Sequence, residues 1–218
     1  VTKLRTINDL QDRLDHDLGW RVKELANLKN LIRSSESIAR KTAVRATVCV
    51  TYAHWEGFVK EAAESYIRFV ANQKMRLEEL SDCFVVFGAK KHLNELAESR
   101  KASIAIAAVE FFRTKMAEKA NLSLSNLIRT ESNLSSTVFE NILLSIGVET
   151  SIFSARFKQI DSELLDRRNK IAHGEHLELD EDACCQLVDD VIWIIRQFKT
   201  QIENAATLES YKSSVSSR

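Results

Sequence analysis

No proline occurs anywhere in the 218 residues of this chain, and glycine occurs only five times. Both residues punctuate secondary structure, and a domain built from short strands and tight turns uses far more of them. Their scarcity leaves long helices as the natural reading. The length suits one domain, or one with a small appendage, and is enough for a sizeable core. Neither sign of charge is in excess, since Lys plus Arg and Asp plus Glu each number 31. No global field attracts nucleic acid, so an RNA site has to be a local patch. No apolar run approaches the roughly 18 residues of a membrane span. The opening Val1-Thr2-Lys3-Leu4-Arg5 has no apolar signal-peptide core and no initiator methionine, as in a trimmed chain. A cytoplasmic setting without membrane attachment is the expectation.

Specific chemistries are missing too. Cys49, Cys83, Cys184 and Cys185 lack zinc-ligand spacing, and the adjacent Cys184-Cys185 pair is badly placed to form a disulfide with itself. Reduced thiols are expected. There is no Gly-rich phosphate loop, no His-Glu-x-x-His and no Gly-x-Ser-x-Gly. His173, Glu175, His176 and Glu178 come nearest to a metal cluster, but Gly174 is expected to end the helix between the histidines. No metal and no cofactor are expected.

What is present is apolar periodicity. Leu4, Ile7, Leu10, Leu14, Leu18, Val22, Leu25, Leu28 and Ile32 predict a helix over 4–33. After the serines at 34, 35 and 37, a second runs over 37–75 with Val48, Tyr52, Trp55, Val59, Ala62, Tyr66 and Val70 on one face. Gly57 inside it costs about 1 kcal/mol against Ala, which a close helix crossing would explain. Further helices fall at 82–98, at 103–119 (core face Ile104, Ala108, Phe111, Phe112 and Met116), at 137–146 closed by Gly147, and at 154–173. Asp180 caps the last, whose buried stripe is Leu187, Val191, Ile194, Ile195, Phe198 and Ile202. Residues 121–136 read as a long loop with a helical turn at Leu124–Ile128, a candidate lid. The fold class is therefore an all-α bundle of about six or seven helices. It forms a single domain over 1–206, helix 1–33 packed on it, with a disordered Ser-rich tail over 207–218.

The chemistry concentrates in Leu164-Leu165-Asp166-Arg167-Arg168-Asn169-Lys170-Ile171-Ala172-His173-Gly174-Glu175. At about 100° per residue, Phe157, Ile160, Leu164 and Ile171 share an arc of about 60°, and Arg168 lies about 20° beyond its edge. Asn169 and His173 share a second face. Arginine's planar fork matches phosphate oxygens, and histidine is the side chain whose ordinary pKa suits proton transfer near neutrality. The plainer account has Arg168 pairing with Asp161 or Glu56 and His173 capping the helix against its dipole.

The series Arg168-Asn169-Lys170-Ile171-Ala172-His173 resembles the Arg-polar-x-x-x-His signature of the HEPN superfamily, helical domains found in many RNases of defence and toxin systems. A second stretch, Tyr52-Ala53-His54-Trp55-Glu56-Gly57-Phe58-Val59-Lys60, looks like the Trp-Glu-Gly-Phe helix of the MAE_28990/MAE_18760-like HEPN group. Only these two stretches are specific, within an outline covering roughly residues 35–205. The resemblance implies a two-fold homodimer joined through the motif helices, acting as an endoribonuclease on an RNA substrate. Cleavage would proceed by 2′-OH attack without a metal, leaving 2′,3′-cyclic phosphate and 5′-hydroxyl ends. His173 would be the general acid/base, Arg168 the phosphate clamp and Asn169 the orienting group.

Glu56, at the edge of the apolar face, either pairs with Lys60 or turns inward to support Arg168 or His173. His54 points elsewhere, as an exposed or capping histidine. Arg167, Lys170, Arg40 and Lys41 are candidate RNA contacts, Arg40 and Lys41 sitting with Arg45 in a basic run at the start of the second helix, which a solvated surface would equally explain. Bacterial defence or toxin–antitoxin control follows by analogy, with an antitoxin or sensor protein as a further partner. Some HEPN domains are instead non-catalytic scaffolds that dimerise or bind a nucleotide, and a helical protein-interaction module would make no use of Arg168. Neighbouring toxins controlled by nucleotide addition carry a tyrosine two places after the histidine, where Glu175 stands here, so that control is not expected.

Overall fold

The structure, a computed structural model, describes residues 3–122, 128 and 133–214. Thr6 opens the first helix, α1 (Ile7–Ser34), with a capping box. Its hydroxyl accepts from the Asp9 N–H at 3.1 Å, and Asp9 accepts from the Thr6 N–H at 2.9 Å. These bonds satisfy donors that a helix end leaves open, so the helix begins at 7 rather than 4. The second helix, α2 (Ser37–Asn72), is followed by a hairpin of α3 (Asp82–Glu98) and α4 (Ala102–Thr114). Next come α5 (Ser136–Ser145) and the single turn α6 (Ser151–Ser154). The motif run comprises α7 (Phe157–Gln159), a π turn (Ile160–Leu165) and α8 (Asp166–Ala172), and α9 (Glu181–Thr207) follows. Among the described residues there is no strand, only isolated bridges at Arg76–Lys119 and Leu80–Lys212. The fold is the expected all-α bundle.

At 36 residues, α2 is the axis of the bundle, packed on α1, α9 and the motif run. Val48, Trp55, Phe58, Val59, Ala62, Ala63 and Ile67 are completely buried. A helix of this length draws its stability from such packing rather than from propensity. Edge-on rings tie the layers together. Trp55 meets Phe139 of α5 at 4.7 Å, and Phe139 meets Phe153 at 5.2 Å and Phe198 of α9 at 5.5 Å.

Several sequence expectations change. The helix expected over 103–119 stops at Thr114, because the chain beyond it lies along residues 75–78. Leu77 N–H donates to Glu118 O, Glu78 N–H to Met116 O and Ala120 N–H to Met75 O. Of its expected core face only Ala108 is buried, and Phe112 is exposed, because α4 packs chiefly on α3. Part of the tail read as disordered is docked. Tyr211 is buried edge-on against Phe69, Ser81 N–H donates to Tyr211 O, and Ser213 N–H donates to Glu79 O. Residues 215–218 lie outside the described residues, as does most of the expected lid, 123–127 and 129–132, with its Leu124–Ile128 turn.

His54 is also misplaced by the sequence reading, for it is buried. Its Nε2 lies 2.7 Å from Glu24 Oε2 and its ring stands edge-on to Trp20 at 5.1 Å. Beside it, buried Arg21 grips Asp17 through two bonds of 3.0 and 3.1 Å. The guanidinium of Arg21 lies over Gly57, where a Cβ would stand 2.8 Å from Nη1. Gly57 therefore makes room for a side chain of α1, not for a neighbouring backbone.

This arrangement fixes two outcomes. Gly57→Ala is expected to lose about 1–2 kcal/mol by urea unfolding, through crowding of the gripped guanidinium. In an Asp17→Asn/Arg21→Met background the same change is expected to stabilise, as helix propensity alone dictates. Burial, opposed chiefly by the nearby Glu24, holds the His54 imidazole below its ordinary pKa. The unfolded chain then binds the proton more readily, so the stability His54 contributes is full above about pH 6.5 and falls as pH drops toward the folded value. Urea midpoints should decline less steeply below pH 6.5 in His54→Gln than in the parent.

Candidate active site

The end of α8 is set by its glycine. Gly174 takes φ +79°, the left-handed region that L side chains avoid. Gly174 N–H donates to Ile171 O at 3.1 Å and Glu175 N–H to Lys170 O at 2.9 Å, the paired bonds of a Schellman C-cap. His173 is the C-cap residue, one position past the end of α8. Its backbone N–H donates to Asn169 O at 2.9 Å, while its side chain is exposed, with no hydrogen bond or ion pair among the described residues.

Upstream, the π turn over 160–165 carries Asp161, which accepts from the Ser136 N–H at 2.7 Å and from its hydroxyl at 2.6 Å. Asp161 thus holds the start of α5 and is not a partner for Arg168. Ile160 and Leu164 are buried, and Phe157 and Ile171 pack partly against the core, as the stripe requires.

Arg168 is half-buried, its Cζ 3.9 Å from the centre of the Tyr52 ring. Its Nη1 donates to Asn169 Oδ1 at 2.7 Å, and its buried Nε has no partner. No carboxylate pairs with it among the described residues. The neighbouring cations differ. Arg167 pairs with Glu163, Lys170 with Asp166 at 2.7 Å, Arg40 with Glu181 at 2.9 Å and Lys41 with Glu178 at 3.6 Å. Among the described residues, no group of three or more His, Cys, Asp or Glu side chains is arranged to hold a metal ion.

A family model described as MAE_28990-like HEPN matches residues 10–211, nearly the whole chain. The chain belongs to that HEPN family. No curated protein and no solved structure matches it.

Within this HEPN domain, Arg168 and Asn169 stand on α8 and His173 caps its end, and Asn169 engages the arginine rather than the imidazole. Glu56 is half-buried near Tyr52, and it forms no ion pair with Arg168, His173 or Lys60. Arg40 and Lys41 reach the acidic side chains just beyond the motif. With them Arg45 Nη1 donates to Glu175 O at 3.0 Å, tying the start of α2 to the motif's end. An open groove of about 300 Å³ lies there, lined by Lys41, Val44, Arg45, His176, Leu177 and Leu179.

Tyr52 is the site residue that sequence reasoning missed. It appears there as a member of the apolar stripe and at the head of the Trp-Glu-Gly-Phe stretch, with no role of its own, although a hydroxyl four residues ahead of Glu56 on the same face was a visible signal. Its hydroxyl accepts from Leu134 N–H at 2.6 Å, and burial raises the phenol's pKa. Trp55 Nε1 donates to Leu134 O at 3.2 Å, so the backbone of Leu134 is held on both sides.

Gly174 has open space around it, so replacement meets strain rather than a clash. Gly174→Ala should cost about 1–2 kcal/mol and loosen the last turn of α8. Faster amide hydrogen exchange at Glu175, with the rest of α8 unchanged, is the expected result.

Proposed function

We propose that this HEPN domain is an endoribonuclease that cuts RNA by attack of a 2′-OH on the adjacent phosphate. The observation that carries the reading is the half-buried Arg168 cation, with no acidic partner among the described residues, set on the short helix that the exposed His173 caps. A guanidinium drawn partly out of water is ordinarily compensated by a carboxylate, and doing without one costs several kcal/mol in a buried site. A phosphodiester is the anion whose geometry fits the arginine fork. In this reading Arg168 stabilises charge on the pentacoordinate transition state, and His173 moves a proton at the 2′-OH or at the leaving 5′-oxygen. Asn169 holds the guanidinium through Oδ1.

One imidazole does not reach both sides of a scissile bond. A two-fold homodimer that joins motif helices supplies the second, since an isologous contact sets one surface against itself. By family analogy no metal takes part, the products carry 2′,3′-cyclic phosphate ends, and the setting is cytoplasmic bacterial defence or toxin–antitoxin control, with an antitoxin or sensor as partner. No helix among the described residues is long and apolar enough to cross a membrane. A second reading, a non-catalytic HEPN scaffold that dimerises or binds a nucleotide, is favoured by Glu56, which among the described residues forms no ion pair with His173.

Cleavage of a mixed RNA pool in EDTA separates the two. Arg168→Ala and His173→Ala, each folded, should lower the rate by about 10²–10⁴. Arg167→Ala and Lys170→Ala, which break i,i+4 surface pairs, should stay within about threefold. Equal cutting by His173→Ala and the parent would remove His173 from the chemistry, and intact RNA with an intact dimer would favour the scaffold.

A further inference from the structure

Arginine side chains are long, and a catalytic guanidinium has to be held in one orientation before its substrate arrives. Carboxylates commonly do this, but a carboxylate occupies the N–H edge that a phosphate needs and cancels the charge. Arg168 is held by another means. The Cζ of its guanidinium lies 3.9 Å from the centre of the Tyr52 ring, a cation–π contact that brings no negative charge, and the Tyr52 hydroxyl also interacts with the same guanidinium. Asn169 takes one donor on the N–H edge at 2.7 Å.

The ring is itself fixed. Tyr52 is only 4% exposed, and its hydroxyl is anchored by the Leu134 N–H at 2.6 Å. Leu134, completely buried, is anchored in turn by Trp55 through its carbonyl. Swinging the ring out from under Arg168 therefore breaks a buried hydrogen bond as well as the stack. We infer that Tyr52 is the positioning residue of this site, a rigid aromatic platform that orients Arg168 toward the RNA phosphate without neutralising it. The inference rests on the endoribonuclease reading of Arg168.

Two variants divide the ring from the hydroxyl. Tyr52→Phe keeps the platform and loses the anchor, whereas Tyr52→Leu loses both. On RNA in EDTA, Tyr52→Leu should lower kcat by about tenfold or more with KM changed by less than about threefold, because an orientation effect is felt in the transition state. Tyr52→Phe should remain within about threefold of the parent. A merely structural Tyr52 would instead lower both variants in step with their melting temperatures, and that outcome overturns the inference.

A second readout needs no cleavage. The Arg168 Nε–H resonance, identified by its loss in Arg168→Lys, should be displaced by the ring current in the parent and in Tyr52→Phe. It should return to the range of ordinary arginines in Tyr52→Leu. No displacement in the parent overturns the platform, whatever the RNA assay gives. A displaced resonance in a parent that leaves RNA intact overturns the endoribonuclease reading, and with it the role in cleavage, while the ring contact stands. A displaced resonance with full activity in Tyr52→Leu overturns the positioning role alone.

Discussion

A helix of 36 residues whose inner faces carry tryptophan, tyrosine, phenylalanine and valine has to be wrapped on several sides at once. The rest of the chain is arranged to do so. α1 and α9 cover α2 along much of its length, and the motif run lies across its first half. The same burial gives the candidate site its footing. Tyr52 and Trp55 are core residues before they are anything else, and what they hold, the Arg168 face and the Leu134 backbone, inherits the rigidity of the core. The motif residues are thus supported by a helix that cannot shift without opening the domain.

Charge is distributed around the motif in an uneven way. Arg167, Lys170, Arg40 and Lys41 each face an acid, mostly on the surface, where such pairs contribute little. They offset one another and keep the neighbourhood near neutral, in keeping with the balanced composition of the whole chain. Among the described residues Arg168 and Arg45 stand out against that background, Arg45 tied to a backbone carbonyl and Arg168 held at the Tyr52 ring. The specificity of such a site lies in orientation more than in field strength.

Most of the helical architecture was legible because periodicity, caps and glycines agree. Asp180 caps α9 through its side chain, Gly174 ends α8 in the left-handed turn, and Leu187 through Ile202 form the buried stripe. What was not legible depended on who packs against whom. The apolar spacing of α4 is real, but spacing does not say that α3 is its chief neighbour. His54 looked like a surface residue on its own helix, and only α1, bringing Trp20, Arg21 and Glu24, makes it a core one. At the site, the motif residues were readable from type and spacing, whereas their support was not. Glu56 was named where Tyr52 is the contact, because a charged residue advertises chemistry and an aromatic one reads as core.

The π turn ahead of Arg168 has a further meaning. Its widened ring, closed by Asp166 N–H donating to Asp161 O, spends more residues on a turn than an α-helix does. The turn takes up one residue more than regular winding needs between α7 and α8, so the extra residue is absorbed locally and Arg168 keeps the phase the flanking segments share. One further residue there, wound regularly, would turn Arg168 by about 100° away from Tyr52. The facing of Arg168 is thus set by the length of this stretch as well as by its buried side chains.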